Sequence, residues 1–118
     1  MKVIVAGSRT ILKYSVVEEC ILDAIKKNNL FISEIVSGRA KGPDRLGETW
    51  ALKNGVKISA FPADWKKYGI SAGFIRNQEM ADYADALIAI WDGQSNGTLD
   101  MIERAKEKNI PIFVYIRS

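Results

Sequence analysis

The 118-residue sequence contains no histidine and only one cysteine. Without imidazole it lacks the side chain that most often acts as a general base near neutral pH and most often ligates a metal. One thiol alone cannot assemble the usual zinc site, so no metal centre is expected. Cys20 has no partner for a disulfide and falls inside a helical pattern, which reads as a core thiol in a reducing, cytoplasmic protein. Long apolar runs are also missing. The longest, residues 86–91 and 110–116, fall far short of the roughly 20 residues of a membrane span. The apolar start is halted at Gly7, too early for a signal peptide, and reads as a strand. Neither G-x-G-x-x-G nor G-x-x-x-x-G-K-[ST] occurs, so dinucleotide dehydrogenases and P-loop nucleotidases are unsupported and no cofactor is expected. Blocks of like charge are absent, and 17 Lys and Arg against 14 Asp and Glu leave a net charge of only +3. Bulk electrostatics therefore does not by itself imply nucleic-acid binding.

What is present is an ordinary globular composition, 47% apolar and 26% charged, in a chain of the length of one domain, taken as residues 1–118. Apolar runs at 2–6, 32–37, 56–61, 85–91 and 110–116 alternate with amphipathic stretches at 15–29, 43–54, 71–83 and 97–109. That is β-α-β-α-β-α-β-α-β. Near-continuous apolar strands such as 86–91 belong to parallel sheets covered on both faces. With right-handed crossovers, the pattern predicts an α/β, Rossmann-like three-layer sandwich with a five-stranded parallel sheet of order 3-2-1-4-5. Ser15 and Glu18 have capping-box spacing at the first helix, and Pro43 suits the first position of the second. Trp50, beside Leu46 on an apolar helix face, and Trp91, at a strand end, read as core.

In such sheets ligands bind outside the carboxyl ends of the strands. Those ends carry small, glycine-rich, hydroxyl-bearing loops. Gly7, Ser8, Arg9 and Thr10 follow the first strand, and Ser37, Gly38, Arg39, Lys41, Gly42, Asp44 and Arg45 follow the second. Asp92, Gly93, Ser95, Gly97 and Thr98 follow the fourth. Two of the loops run into helix N-termini, where free N–H groups and the helix dipole favour an anion, and a phosphate is expected near Gly7, Gly38 or Gly97. Four arginines, Arg9, Arg39, Arg45 and Arg76, gather at or near these loops, and guanidinium groups suit phosphate. Residues 61–69, with Phe61, Trp65, Lys66, Lys67 and Tyr68, offer either a wall for a stacked base or aromatics that cover the sheet edge.

The ordered set Gly7-Ser8-Arg9, Ser37-Gly38, Gly42-Pro43-Asp44-Arg45, Ile75-Arg76-Asn77-Gln78-Glu79-Met80, Ala84-Asp85-Ala86-Leu87-Ile88 and Gly97-Thr98 resembles the SLOG superfamily. That group joins the DNA-processing protein Smf/DprA to the LOG phosphoribohydrolases, and the likeness points to its small stand-alone branch related to YspA and YpsA. LOG enzymes cleave the N-glycosidic bond of nucleoside monophosphates, with an arginine in E-R-K-x-x-M and a glutamate in P-G-G-x-G-T-x-x-E. Arg76 matches the arginine, with Asn77 in place of lysine. Gly93, Gly97 and Thr98 match parts of the glycine motif, Gln94 replaces its second glycine, and Met101 stands at the glutamate position. The resemblance implies a nucleotide-like small-molecule partner and a homodimer, with Phe74, Met80 and Tyr83 as its apolar contact.

Intact phosphate loops without the glutamate favour a domain that senses or sequesters a nucleotide. Its binding residues are Gly7, Ser8, Arg9, Ser37, Gly38, Lys41, Gly42, Asp44, Arg45, Arg76, Asn77, Asp92, Gly93, Ser95, Gly97 and Thr98. A glycosidic hydrolase is the alternative, with Asp44, Asp64 or Asp92 as its carboxylate. Single-stranded DNA binding, as in Smf/DprA, requires a continuous basic groove with stacking aromatics, and the modest charge argues against it.

Overall fold

In a strand, successive side chains point to opposite faces, so a strand without polar positions must be covered on both. Along the first strand Val3 and Val5 face one way, Ile4 and Ala6 the other, and all four are buried. The computed structural model describes all 118 residues. Its elements are β1 (Lys2–Gly7), α1 (Tyr14–Asn28), β2 (Glu34–Ser37), α2 (Pro43–Lys53), β3 (Lys57–Ala60), α3 (Trp65–Tyr68), a 3-10 turn (Gly69–Ser71), α4 (Ala72–Tyr83), β4 (Ala86–Trp91), α5 (Asn96–Glu107) and β5 (Ile112–Ile116). The strands form one parallel sheet of order β3-β2-β1-β4-β5, as the sequence pattern predicts.

Two cores flank the sheet. Above it, α1 and α2 deliver Val17, Cys20, Ile21, Ala24, Trp50 and Ala51 onto Val3, Val5, Ile35 and Ile88. Below it, α4 and α5 deliver Met80, Ala81, Met101, Ile102 and Ala105 onto Ile4, Val36, Leu87 and Ala89. β1 is the pivot, pairing with β2 at Val3–Ile35 and with β4 at Val3–Ala86. The chain leaves β1 toward β2 on one side and returns to β4 on the other, so the loops after β1 and β4 diverge and open a crevice at the carboxyl edge. Trp50 is 5% exposed and belongs to the upper core; Trp91 packs against the lower one and donates its indole N–H to the Ser95 carbonyl at 3.0 Å. No helix is long and apolar enough to cross a membrane.

Three local expectations change. Ser15 does not cap α1. The cap falls two residues earlier, with Lys13 extended at the N-cap and the Val16 N–H already bonded to the Lys13 carbonyl at 3.1 Å, so Ser15 lies within the first turn. Glu18 instead accepts from the Tyr14 hydroxyl at 3.3 Å. Residues 65–68 form a short helix, capped by Asp64, which accepts from the Lys67 N–H at 3.1 Å. Met80 is closed inside the lower core at 1% exposure, and Tyr83 packs on Phe61 and donates its hydroxyl to buried Glu34. Of the three apolar residues assigned to a dimer contact, Phe74 alone is exposed.

Filling of the sheet by aliphatic side chains makes the cost of truncation position-dependent. Ile88→Ala, at a fully buried position in β4, is expected to lower unfolding free energy by about 2–5 kcal/mol in urea melts. Ile116→Ala, more than half exposed at the end of β5, is expected to cost less than about 1 kcal/mol. Equal costs at the two positions would contradict this core assignment.

Candidate functional site

The crevice holds two adjoining clefts. The first, about 340 Å³, lies between the β1 end, α4 and the N-terminus of α5. Its walls include Gly7, Arg9, Asp44, Arg76 and Asn77 on one side and Asp92, Ser95, Gly97 and Thr98 on the other, together with Thr10 and Ala40. The second, about 360 Å³, opens over the β2–α2 loop and is lined by Gly38, Arg39, Lys41, Arg45, Pro62 and Trp65. Arg9, Ala40 and Arg76 border both.

Four of the sequence-derived site residues lie outside both clefts. Ser8 is fully buried, where its hydroxyl accepts from the Asp92 N–H at 3.0 Å. Ser37 is buried too, donating to Glu48 at 2.6 Å. Gly42 is a turn residue with φ of 95°, closed in by the Ser8 carbonyl, and Gly93, with φ of 83°, is an exposed turn. In the 61–69 segment the two readings divide: Trp65 is 52% exposed in the wall of the second cleft, whereas Phe61 covers the sheet edge with its ring 5.3 Å from that of Tyr83. Thr10, named with the first hydroxyl-bearing loop but not among the binding residues, and Ala40, which has no functional group to flag it, both line the first cleft.

In the wall of the first cleft sits Asp44, 4% exposed on the first turn of α2. Its Oδ2 accepts the Gly38 N–H at 3.1 Å, and the backbone N–H groups of Ala40 and Gly7 also favour its charged form. Burial outweighs them, as well as the Arg76 guanidinium, and pushes the carboxyl from its ordinary 3.8 up to about 6. Arg76, from α4, is bolted in place: Nη1 donates to the Gly38 carbonyl at 2.5 Å and Nε to Asn77 Oδ1 at 3.1 Å. Burial holds its pKa below the usual arginine range, with Asp44 opposing that shift and Arg9 adding to it. Only glycine permits this closeness, because a Cβ at position 38 would sit 2.8 Å from both the Arg76 side chain and Asp44 Oδ2. Asn77 reaches across to α5, donating to Asp100 at 3.0 Å and the Gly97 carbonyl at 3.3 Å.

The opposite wall is organised by Asp92. Its Oδ1 accepts the Gln94 and Ser95 N–H groups, each at 2.8 Å, and its Oδ2 accepts from the Thr10 hydroxyl at 3.4 Å. Those two backbone donors chiefly hold its pKa below the usual carboxylate range, so Asp92 is charged at neutral pH. Ser95 caps α5, accepting from the Thr98 N–H at 3.4 Å. Met101 lines the first cleft but is only 1% exposed. Its neighbours on α5 supply no carboxylate in its stead: Asp100 is tied to Arg104 at 2.8 Å and to Asn77, and Glu103 is exposed outside the cleft. Asp44 and Asp92 are joined by no third carboxylate or thiol within reach of one ion.

Comparison with known proteins gives three likenesses. A family model described as YAcAr, the YspA, cpYpsA-related SLOG family, matches residues 1–68. The "Gene 61 protein" of Mycobacterium phage D29 is 29% identical over 119 residues, which cover 94% of this chain and 93% of that protein. The X-ray structure of DNA processing protein A (DprA) from Streptococcus pneumoniae aligns with a TM-score of 0.75 at 28% identity over 99% of this chain. The alignment takes in 50% of that protein, so the chain spans about half its length.

The Asp44 shift carries a sign that can be measured. The folded chain holds a proton at Asp44 more tightly than the unfolded chain does, so this stabilisation is full below about pH 4 and is lost as pH rises through about 6. The difference is worth about 3 kcal/mol. The gap in unfolding free energy between wild type and Asp44→Asn, which cannot titrate, is expected to move against the wild type by about 2–3 kcal/mol between pH 4 and pH 7. A gap independent of pH would show that the carboxyl titrates normally.

Proposed function

The chain belongs to the YspA, cpYpsA-related SLOG family, and on that footing we propose that it binds a nucleotide or nucleotide-derived phosphate ligand at the carboxyl edge of its sheet. It senses or sequesters the ligand and does not consume it. The observation that carries this reading is the meeting of Arg9 and Arg76 on the border of the two clefts with guanidinium donors left over. Arg76 commits Nε and Nη1 to the chain and keeps Nη2, and Arg9 is exposed and bonds to nothing in the chain. A half-buried arginine held rigidly loses little further entropy when it takes a phosphate oxygen, and its charge-assisted bond is among the strongest available. Hydroxyls at Thr10, Ser95 and Thr98 line the same cleft and suit the polar edges of a sugar or base.

The catalytic alternative lacks its carboxylate. Met101 occupies the position where a LOG enzyme carries glutamate, and a thioether neither activates water nor stabilises an oxocarbenium-like state. The carboxylate best placed to revive that reading is Asp92.

Calorimetric titration with nucleoside phosphates, beside a chromatographic assay for released base, tests the proposal. Arg76→Ala is expected to weaken binding about 10- to 150-fold, the equivalent of about 1.5–3 kcal/mol for a lost charge-assisted bond. Arg76→Lys should recover part of it, because an ammonium cannot serve the Gly38 carbonyl and a phosphate with the same planar fork. Urea melts of each variant separate lost binding from lost folding. Wild-type protein should release little base. Efficient release abolished by Asp92→Asn would replace the binder with a hydrolase, and normal binding by Arg76→Ala would remove the arginine from the site.

A further inference from the structure

We propose that the ligand is a nucleoside bearing a chain of two or more phosphates, its sugar in the first cleft and its phosphate chain running past Arg9 and Arg76 into the second; this rests on the nucleotide-binding reading and names the ligand class. The ground is a separation of charge that neither cleft shows alone. Both carboxylates that reach the crevice, Asp44 and Asp92, line the first cleft. The second is bordered by Arg9, Arg39, Lys41, Arg45 and Arg76 and by no carboxylate. A phosphate beside Asp92 would meet a like charge, whereas that carboxylate, whose Oδ2 takes a long 3.4 Å bond from Thr10 with the Ser8 hydroxyl also turned to the group, has acceptor capacity left for sugar hydroxyls. The phosphates therefore belong on the far side of the Arg9–Arg76 border.

The number of cations there sets the number of phosphates. Arg45 gives its Nε to the Arg39 carbonyl at 3.0 Å and Arg39 stands 3.7 Å from Glu48, while Arg9 and Lys41 are exposed and bond to nothing in the chain. A phosphate monoester carries about two negative charges at most, too few to match Arg9, Lys41, Arg45 and Arg76, and a diphosphate or triphosphate comes closer. The loops at Gly7 and Gly38 already serve Asp44, which accepts from Gly38 with Ala40 and Gly7 turned to the same carboxylate, and at the start of α5 the Gln94 and Ser95 N–H groups go to Asp92 and that of Thr98 to Ser95. A continuous nucleic-acid strand fits less well than a free nucleotide, because threading both clefts would put a phosphodiester next to Asp92.

Trp65, half-exposed in the wall of the second cleft, reports on its occupancy. Tryptophan fluorescence and calorimetry with the 5′-mono-, di- and triphosphates of adenosine, guanosine, cytidine and uridine, and with an eight-residue thymidine oligonucleotide, form the test. For whichever base binds, the diphosphate is expected to bind at least about tenfold tighter than the monophosphate. The accompanying fluorescence change should disappear in Trp65→Phe. The double variant Lys41→Gln/Arg45→Gln should reduce the diphosphate-to-monophosphate preference to less than about threefold. Equal affinity for the two would overturn this proposal and leave the nucleotide-binding reading standing. Absence of binding to any nucleotide would overturn both, and tighter binding of the oligonucleotide than of every nucleotide would assign the clefts to a single strand.

Discussion

A carboxylate taken out of water has to be met by donors, and at Asp44 the backbone donors come from two different loops. Gly38 donates to it across the mouth of the β2–α2 loop, Ala40 and Gly7 present their N–H groups to it, and Arg76 brings a positive charge from α4. This one side chain thereby gathers two loop segments and a helix from the opposite face of the sheet. Burial costs it part of its acidity, and the hold on a proton up to about pH 6 is the mark of a site whose donors fall short of full compensation. The chain also supplies its own anion at the place where a glycine-rich loop would offer N–H groups to a phosphate. An outside anion is left the arginines, which lie further out along the crevice.

The α4–α5 contact completes the frame. Arg76 leans on Asn77, Asn77 reaches Asp100 and the Gly97 carbonyl, and Asp100 is held in turn by Arg104, which also bonds Gln78 at 3.0 Å. The same network that positions the arginine withdraws Asp100 from the cleft. Asn77, where a LOG enzyme has lysine, therefore serves a packing purpose that a lysine could not, since its amide both accepts from Arg76 and donates to α5.

The layout of the sheet was readable because parallel strands leave a strong trace: residues 86–91 are apolar throughout and buried on both faces, and no other common architecture demands that. Pro43 marked its helix start because its fixed φ and missing N–H suit only a first turn. Ser15 misled for the opposite reason, as a capping residue works only where the backbone turns into the helix, and that turn falls two residues earlier, at Lys13. At the site, glycine, serine and arginine after strand ends were legible signals, and they do gather at one edge. That Asp44 would fill the glycine cradle, that Ser8 and Ser37 would point inward, and that the cations would sort to one side of Arg9 and Arg76 depend on which way side chains turn in space. Periodicity carries no such information.

β1 is the middle strand of the sheet and precedes the other four along the sequence, yet its two neighbours follow at very different times. Its pairing with β2 links residues about 32 apart, whereas pairing with β4 links Val3 to Ala86. On a ribosome the β3-β2-β1 half can assemble first, and its inner edge then stays unpaired until β4 has cleared the exit tunnel. The waiting edge is an apolar strand with open N–H and C=O groups, the kind of surface that recruits other chains. Such long-range closure slows folding, and it places the moment of greatest aggregation risk before β4 has emerged.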